Sequence, residues 1–224
     1  MRKSIVVAAV LICLAVPGTA SASPAAPTDS QANVWMDTVL NDMRLAVSQH
    51  GLDPMVMAPF NFKVKKTGIT NRDLKANFTR GSLYGLAGIH RQGDCTYETS
   101  GADMRLDCYV SLQALRVLMN ADVKGDSITG NHHDITTSSI VPRNTLALLE
   151  FQGKRGHAPN LMGITVHSVT LTSSVTSGKL DLNKARQDSF FAAMNQNIST
   201  QIVAAAQGHY AQALRSAITR QHLP

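Results

Sequence analysis

The feature that most constrains the fold is a change in hydrophobic period along the chain. Apolar residues recur at about one helical turn near the start, alternate with polar residues from about residue 60 to residue 175, and return to the helical period after Gly178. Helices do not alternate with strands in this order, which disfavours a parallel sheet and favours antiparallel strands. The sequence therefore predicts an α+β domain, with bent antiparallel sheets wrapped around a long C-terminal helix and a shorter N-terminal helix.

The N-terminal helix is predicted between an N-cap at Ser30 or Asp29 and a stop at Gly51. One face is apolar, and the opposite face is polar without being rich in lysine. We therefore expect the apolar face to pack on the sheet and not to insert into a membrane. The apolar face consists of Met36, Leu40, Met43 and Val47, and the polar face of Asp37, Asn41, Arg44 and Ser48.

Two cysteines, Cys95 and Cys108, flank a predicted hairpin whose two-residue turn starts at Gly101. A glycine in first place is typical of a type II′ turn, and this turn sets the register of both strands. Tyr97 then faces Leu106, and the cysteines face each other at a non-hydrogen-bonded site, where side chains approach closely. The register predicts a Cys95–Cys108 disulfide, since exported cysteines are usually oxidised.

The strand alternation changes phase twice, at Ala114-Leu115 and between Val166 and Val169. A change of phase within a long strand predicts a bulge or a bend where a sheet curls. Turns are predicted at residues 124–126, 130–131 and 153–156, each of which contains glycine.

Residues 1–22 have the pattern of a secretory signal peptide, with Arg2 and Lys3 before an apolar run and small residues before Ala22. We expect cleavage after Ala22, a flexible tail over residues 23–30 and a single domain over residues 31–224. Cleavage removes Arg2, Lys3 and Cys13, so the formal charge falls from +6 to +4 and two of the three cysteines remain. The protein is predicted to be secreted and extracellular.

The rest of the sequence argues against several classes of function. No later stretch has the roughly 18 apolar residues of a spanning helix, so no stable membrane insertion is expected. Basic residues are scattered and aromatic residues make up only 5% of the chain, which argues against nucleic-acid binding. No catalytic motif is present, and we interpret His132-His133-Asp134 as a solvated turn. The sequence predicts no enzyme activity, no cofactor, no catalytic residue and no metal site.

Apolar side chains recur on one face of the terminal helix and on the strands. Taken singly, each of these residues is most simply explained as a core residue. Taken together, in a curved double sheet around a long helix, they are typical of a pocket for apolar ligands. We therefore predict an elongated apolar groove that holds an apolar small molecule or lipid. Its predicted residues are Phe191, Met194, Ile198 and Ile202 on the helix and Leu106, Val110, Leu112, Val117, Ile164 and Val166 on the strands.

Some surface residues have two interpretations. Lys63, Lys65 and Lys66 could contact anionic lipid headgroups or simply keep an exported protein soluble, and we favour solubility. Asn77 and Asn197 fit the acceptor pattern for N-glycosylation. Asn77 is the better candidate, because Asn197 lies in a helix beside a residue that should be buried.

Three short segments resemble the group 7 mite allergen family: Asp53-Pro54-Met55, Gly81-Ser82-Leu83-Tyr84-Gly85-Leu86 and Arg91-Gln92-Gly93-Asp94. The resemblance covers about residues 31–220. It implies a fold related to the bactericidal permeability-increasing and juvenile-hormone-binding proteins, with a super-rolled antiparallel sheet around a long helix. It also implies secretion, a lipid or apolar ligand, bacterial lipid included, and no enzyme activity. The Cys95–Cys108 pair departs from the mite proteins.

One alternative from another class stays open. The protein could be a secreted interaction protein of the innate-immunity type, with a filled core and a surface that contacts a host protein or a microbial partner. Co-purifying lipid would favour the apolar carrier, and the absence of lipid and of fatty-acid uptake would favour the interaction protein.

Overall fold

The computed structural model describes residues 29–67, 72–125 and 132–224. Within these residues the strands form two antiparallel sheets. In the chain they follow an N-terminal helix and precede a long C-terminal helix, so the predicted fold class is confirmed. The predicted signal peptide, residues 23–28 of the tail and the turn at 130–131 lie outside the described residues.

The helices are α1 (Asp29–Gln49), α2 (Lys184–Ala205) and α3 (Ala211–Ile218), and a π-helical turn (Ala206–Tyr210) joins α2 to α3. The strands are β1 (Met55–Met57), β2 (Phe60–Val64), β3 (Leu74–Tyr84), β4 (His90–Arg91), β5 (Thr96–Ser100), β6 (Asp103–Ser111), β7 (Arg116–Lys124), β8 (His132–Ile140), β9 (Leu146–Lys154), β10 (Asn160–Val166) and β11 (Thr172–Ser177).

The first sheet has the order β1-β3-β7-β8-β11, with β2 also paired to β3, and the second has the order β10-β9-β6-β4, with β5 paired to β6. The chain passes from one sheet to the other at four places: between β3 and β4, β6 and β7, β8 and β9, and β10 and β11. Each sheet is therefore assembled from segments that are far apart in the sequence.

Both phase changes of the sequence fall at such crossings, so the predicted bulges or bends within one strand are wrong. β6 ends at Ser111 and β7 starts at Arg116 in the other sheet. Between them the Leu115 amide donates to the Leu112 carbonyl and the Leu112 amide to the Thr145 carbonyl, each over 3.0 Å. The phase changes because β7 belongs to the other sheet: even-numbered residues face the core in β6, and odd-numbered residues face it in β7.

Helix α1 packs its apolar face against the second sheet and α3, as predicted. Trp35 contacts Phe151 of β9 edge to face, with ring centroids 5.1 Å apart. On the polar face, the Asp37 carboxylate accepts two hydrogen bonds from Arg91 of β4, over 2.9 and 3.0 Å. The fully or nearly buried residues of the helix are Ala32, Trp35, Met36, Val39, Leu40, Met43 and Val47.

The segments that carry the family resemblance meet at the connection between β3 and β4. The Asp53 carboxylate accepts hydrogen bonds from the backbone amides of Gly85 and Ala87, each over 2.9 Å. Gly85 has a φ of +93°, and an added Cβ there would lie 2.0 Å from the carbonyl oxygen of Ala114. Asp53 and Gly85 therefore fix the place where the chain first leaves the first sheet.

The hairpin β5–β6 has the register that the sequence predicts. Tyr97 lies opposite Leu106, and Cys95 and Cys108 form a disulfide. Gly101 takes the positive φ, +63°, that the first position of a type II′ turn requires. The Cys95 amide also donates to the side chain of Asn33 over 2.9 Å, which links the hairpin to α1.

We expect the double variant Cys95→Ser/Cys108→Ser to lose about 3 kcal/mol of unfolding free energy, because the disulfide restricts the unfolded chain. Denaturant unfolding of the variant and the parent measures the difference, and peptide mapping without reduction should find the two residues linked in the parent. Two thiols that react with an alkylating agent in the parent would contradict the disulfide.

Candidate apolar binding site

The long C-terminal helix carries the central face of the candidate site. Asn183 caps its start by accepting a hydrogen bond from the Arg186 amide over 3.0 Å. With the π-helical turn the helical path runs from Lys184 to Ile218, about 50 Å at 1.5 Å per residue. A helix of this length spans the whole apolar interior.

The buried stripe of α2 consists of Phe190, Met194, Ile198 and Ile202, each at most 1% exposed. Three of these four were chosen from the sequence. Phe190, and not Phe191, holds the fully buried position, and Phe191 is half-buried beside it. A constant spacing of four residues, counted back from Ile202, would have identified Phe190.

Five of the six phenylalanines form one aromatic cluster at the N-terminal half of α2. Phe60 stacks on Phe78 with centroids 4.5 Å apart, and Phe62 contacts Phe190 at 5.4 Å. Phe190 also contacts Phe191 at 5.5 Å. The cluster joins β2, β3 and α2. Of its members only Phe191 was predicted as a site residue, although Phe60 and Phe62 lie on the inward face of β2.

Half-buried apolar side chains lie along two margins of α2. The first margin is formed by Phe60 and Phe62 of β2. On the second, the Asn195 side chain bonds to Ser173 of β11 and to the Leu171 carbonyl, over 2.6 and 3.3 Å. Phe191 lies one turn before Asn195 on the same face of the helix. The partly buried apolar residues that we assign to the second margin are Val169, Leu171, Val175 and Phe191.

Side-chain amides of α2 form hydrogen bonds with neighbouring segments at both margins. Gln201 exchanges two hydrogen bonds with the backbone of Ala58, over 2.8 and 3.1 Å. Asn195 belongs to a small polar cluster in which the Ser173 hydroxyl also contacts Ser139 over 2.7 Å. The site therefore has an apolar interior with a few hydrogen-bonding groups at its edge, which is the usual composition of a site for apolar ligands.

One charged side chain is buried at the N-terminal end of α2. Arg186 is 2% exposed, and its Nη2 donates to the carbonyl oxygens of Arg72 and Gly125 over 2.9 and 3.1 Å. Its Nε has no hydrogen-bond partner among the described residues. Arg186 thus links α2 to the ends of β3 and β7.

The ten residues predicted to line the ligand site all lie in the apolar core or against it, but they are distributed over both sheets. Val117 lies in the first sheet, whereas Leu106, Val110, Ile164 and Val166 lie in the second, and Leu112 follows β6. Surface clefts of about 240 to 700 Å³ are present, and none of the ten lines any of them. The role of these residues in ligand binding stays a prediction.

Other predicted sites have simple positions. His132 starts β8, so the predicted turn is wrong, but its side chain is exposed as predicted, and its Nδ1 lies 3.0 Å from the Asp122 carboxylate. Asn77 is exposed on β3, while the Asn197 amide is half-buried and donates to the Ala193 carbonyl over 2.8 Å. Glycosylation at Asn77 and Asn197 stays a prediction.

The described residues contain no helix long and apolar enough to cross a membrane. Within the same ranges, no three His, Cys, Asp or Glu side chains are grouped so that they could hold a metal ion. Burial raises the pKa of Tyr210, in the π-helical turn, well above its usual value.

The protein is similar to one sequence family and to several solved structures. The sequence model of the Group 7 allergen family matches residues 31–129. The crystal structure of lipopolysaccharide binding protein aligns with 83% of this chain at 10% identity and a TM-score of 0.50, and this chain spans 40% of that protein. Takeout 1 from Epiphyas postvittana aligns with 83% of this chain and 87% of its own, at 15% identity and a TM-score of 0.31.

The comparison with curated protein sequences found no match. The alignment with lipopolysaccharide binding protein shows a shared fold, and the family match begins within α1 and reaches just beyond β7. The resemblance seen in the sequence is therefore confirmed: residues 31–129 match the Group 7 allergen family, and the chain has the fold of lipopolysaccharide binding protein.

Proposed function

We propose that the protein is an exported, non-catalytic binding protein for lipid-like or other apolar small molecules. The observation that carries the proposal is the buried stripe of α2 together with the half-buried apolar side chains along both of its margins. A relative in fold is named for binding lipopolysaccharide, and the disulfide is typical of an oxidising, extracellular compartment. Both facts support the proposal.

Most of the predicted lining residues are buried in the apolar core, so a ligand has to replace contacts that α2 makes. Each large side chain of the stripe contributes roughly 1.5–3 kcal/mol by its burial. An alkyl chain contributes about 0.8 kcal/mol for each buried CH₂ group, so a lipid tail can replace several of these side chains. The hydrogen bonds of Asn195 and Gln201 are the ones that such a displacement of α2 would break at its margins.

The polar cluster at the second margin suits a ligand with one polar end. Ser139, Ser173 and Asn195 are hydrogen-bonded to one another and lie beside half-buried apolar residues. Hydroxyl and amide groups can exchange these bonds for bonds to a hydroxyl or carboxyl group of the ligand. We therefore favour a single-chain amphipathic lipid over a hydrocarbon without a polar group.

The alternative function, a secreted interaction protein with a filled core, has one observation in its favour. The predicted lining residues lie in the apolar core or against it, and within the described residues none of them lines the clefts of about 240 to 700 Å³. Such a protein would contact its host or microbial partner through surface residues alone.

Native mass spectrometry and titration with a fluorescent fatty acid separate the two functions. For an apolar carrier we expect co-purifying lipid in material from the native source and saturable uptake of the fatty acid. A clean mass without bound lipid, together with no uptake, would overturn the proposal and favour the interaction protein.

A variant at the second margin tests the location of the site. We expect Phe191→Ser to weaken fatty-acid binding by about tenfold, because a half-buried aromatic ring contributes about 1.4 kcal/mol of contact that the serine cannot make. The matched control is Val34→Ser, at a residue of α1 that is 62% exposed and distant from α2 in the sequence. Equal binding by both variants would contradict the assignment of Phe191 to the site.

A further inference from the structure

Four basic residues stand in one row across the outer face of the first sheet. Lys63 of β2 lies directly opposite Lys75 of β3, Lys75 opposite Lys124 of β7, and Lys124 opposite His132 of β8. All four side chains are exposed. With neighbouring strands about 4.8 Å apart, this lysine row is about 14 Å long.

The register that creates the row is fixed by the core on the other side of the sheet. The adjacent residues Ala76 and Val123 are buried, and a slip by one residue would expose them and bury lysines. The sequence shows Lys63 only as part of a short basic run, because Lys75 and Lys124 are far away along the chain. The row becomes visible only with the strand pairing.

The ammonium groups of the row are not neutralised within the described residues. No described acidic side chain forms an ion pair with Lys63, Lys75 or Lys124. The nearby Asp122 carboxylate contacts His132 instead, at 3.0 Å, and Asp134 lies opposite Asp122 on β8. Like charges directly opposite each other on a sheet destabilise it, so the pairs Lys63–Lys75 and Lys75–Lys124 cost stability.

The shape of the surface limits what can bind there. The row borders a shallow depression of about 300 Å³ that also includes Asn61, Asn77 and Asp122, so a glycan on Asn77 would keep a membrane away from this surface. The aromatic residue that lines this depression, Phe62, is half-buried and contacts Phe190 at 5.4 Å, so the depression lacks the exposed stacking platform of a site for single-stranded nucleic acid. One free phosphate could contact only neighbouring lysines, whereas a plane of many phosphate groups can contact the whole row.

We propose that the lysine row is a docking surface for the phosphate groups of an anionic lipid bilayer. Lysine suits this partner, because it acts as a flexible point charge and needs no fixed geometry of the phosphate. Each lysine near such a surface contributes to binding, and the attraction falls off within a Debye length. The same strand, β2, carries Lys63 outward and Phe62 inward toward α2, so docking brings one margin of the apolar site close to the membrane.

Sedimentation with vesicles tests the proposal without using any apolar ligand, so its failure would leave the proposed function untouched. We expect the purified protein to bind vesicles of phosphatidylcholine and phosphatidylserine at low salt, and to bind phosphatidylcholine alone far more weakly. We expect Lys63→Gln/Lys75→Gln/Lys124→Gln to lower the partition coefficient by about 100-fold. The matched control, Lys154→Gln/Arg215→Gln/Arg220→Gln, removes the same charge from exposed positions on β9 and at the end of α3 and should retain most of the binding.

Several results would overturn the proposal. They are equal loss of binding in the two triple variants, equal binding to neutral and anionic vesicles, or no binding to either. Loss of binding in inorganic phosphate, compared with chloride of the same ionic strength, would assign the row to a free anion, and tighter binding of a single-stranded oligonucleotide would assign it to nucleic acid.

The thermal midpoint of the first triple variant should equal or exceed that of the parent, because like-charge neighbours are removed.

Discussion

Replacing Ile198 by alanine is expected to lower the free energy of unfolding by about 2–5 kcal/mol, because the side chain is fully buried in the middle of the α2 stripe and its loss leaves a cavity. The same change should strengthen the uptake of a fluorescent fatty acid, because the ligand then displaces fewer protein contacts. Denaturant unfolding measures the first effect and fluorescence titration the second. Saturating ligand should restore part of the lost stability, since it binds only the folded protein.

Thr200→Ala is the matched control on the exposed face of α2, and its stability should stay within about 0.5 kcal/mol of the parent. Ile198→Trp tests the opposite change, because a larger side chain fills the space that the ligand needs. A fold of normal stability in Ile198→Trp, with unchanged fatty-acid binding, would show that the stripe is not the site. A stable Ile198→Ala protein with unchanged binding would contradict both the packing and the site.

Replacing Gly85 by alanine is expected to lower the free energy of unfolding by about 3–5 kcal/mol. Its φ of +93° is unfavourable for alanine, and the added Cβ would lie 2.0 Å from the Ala114 carbonyl oxygen, which is backbone and cannot rotate away. Relief of the clash would also move the Gly85 amide away from the Asp53 carboxylate. Thermal and denaturant unfolding of the variant measure the loss.

The control for this prediction is Gly93→Ala. Gly93 also has a positive φ, +73°, but an added Cβ there would have no atom within 4 Å. We expect a loss of only about 1–2 kcal/mol from the backbone conformation alone. Equal losses in the two variants would show that the close approach of the added Cβ to the Ala114 carbonyl does not contribute to the loss of stability.

Local patterns in the sequence predict the parts of the fold that depend on local geometry. The hairpin register follows from Gly101 and from the pairing of Cys95 with Cys108, and the structure has the same register. The stripe of α1 follows from the helical period, because one face of a helix must bury its apolar residues. In both elements the determining residues are close together in the chain.

Features that depend on distant segments could not be predicted in this way. The phase change at Ala114 looks the same for a bulged strand and for a chain that enters another sheet, since both shift the inward parity by one residue. The spacing of the α2 stripe could have identified Phe190, but its contacts with Phe62 and Phe78 could not be predicted, because β2 and β3 are far from α2 in the sequence. The lysine row likewise requires the pairing of four strands.

The four crossings between the sheets determine what counts as an independent piece of this protein. The family match covers residues 31–129. This range contains β1 to β7 and lacks β8, β9, β10, β11 and α2. A fragment cut there would leave β6 without its partner β9 and β7 without its partner β8, and open strand edges of this kind promote aggregation. The boundary of the sequence match is thus no folding boundary, and the interleaved strands make the first half of the domain dependent on the second for solubility.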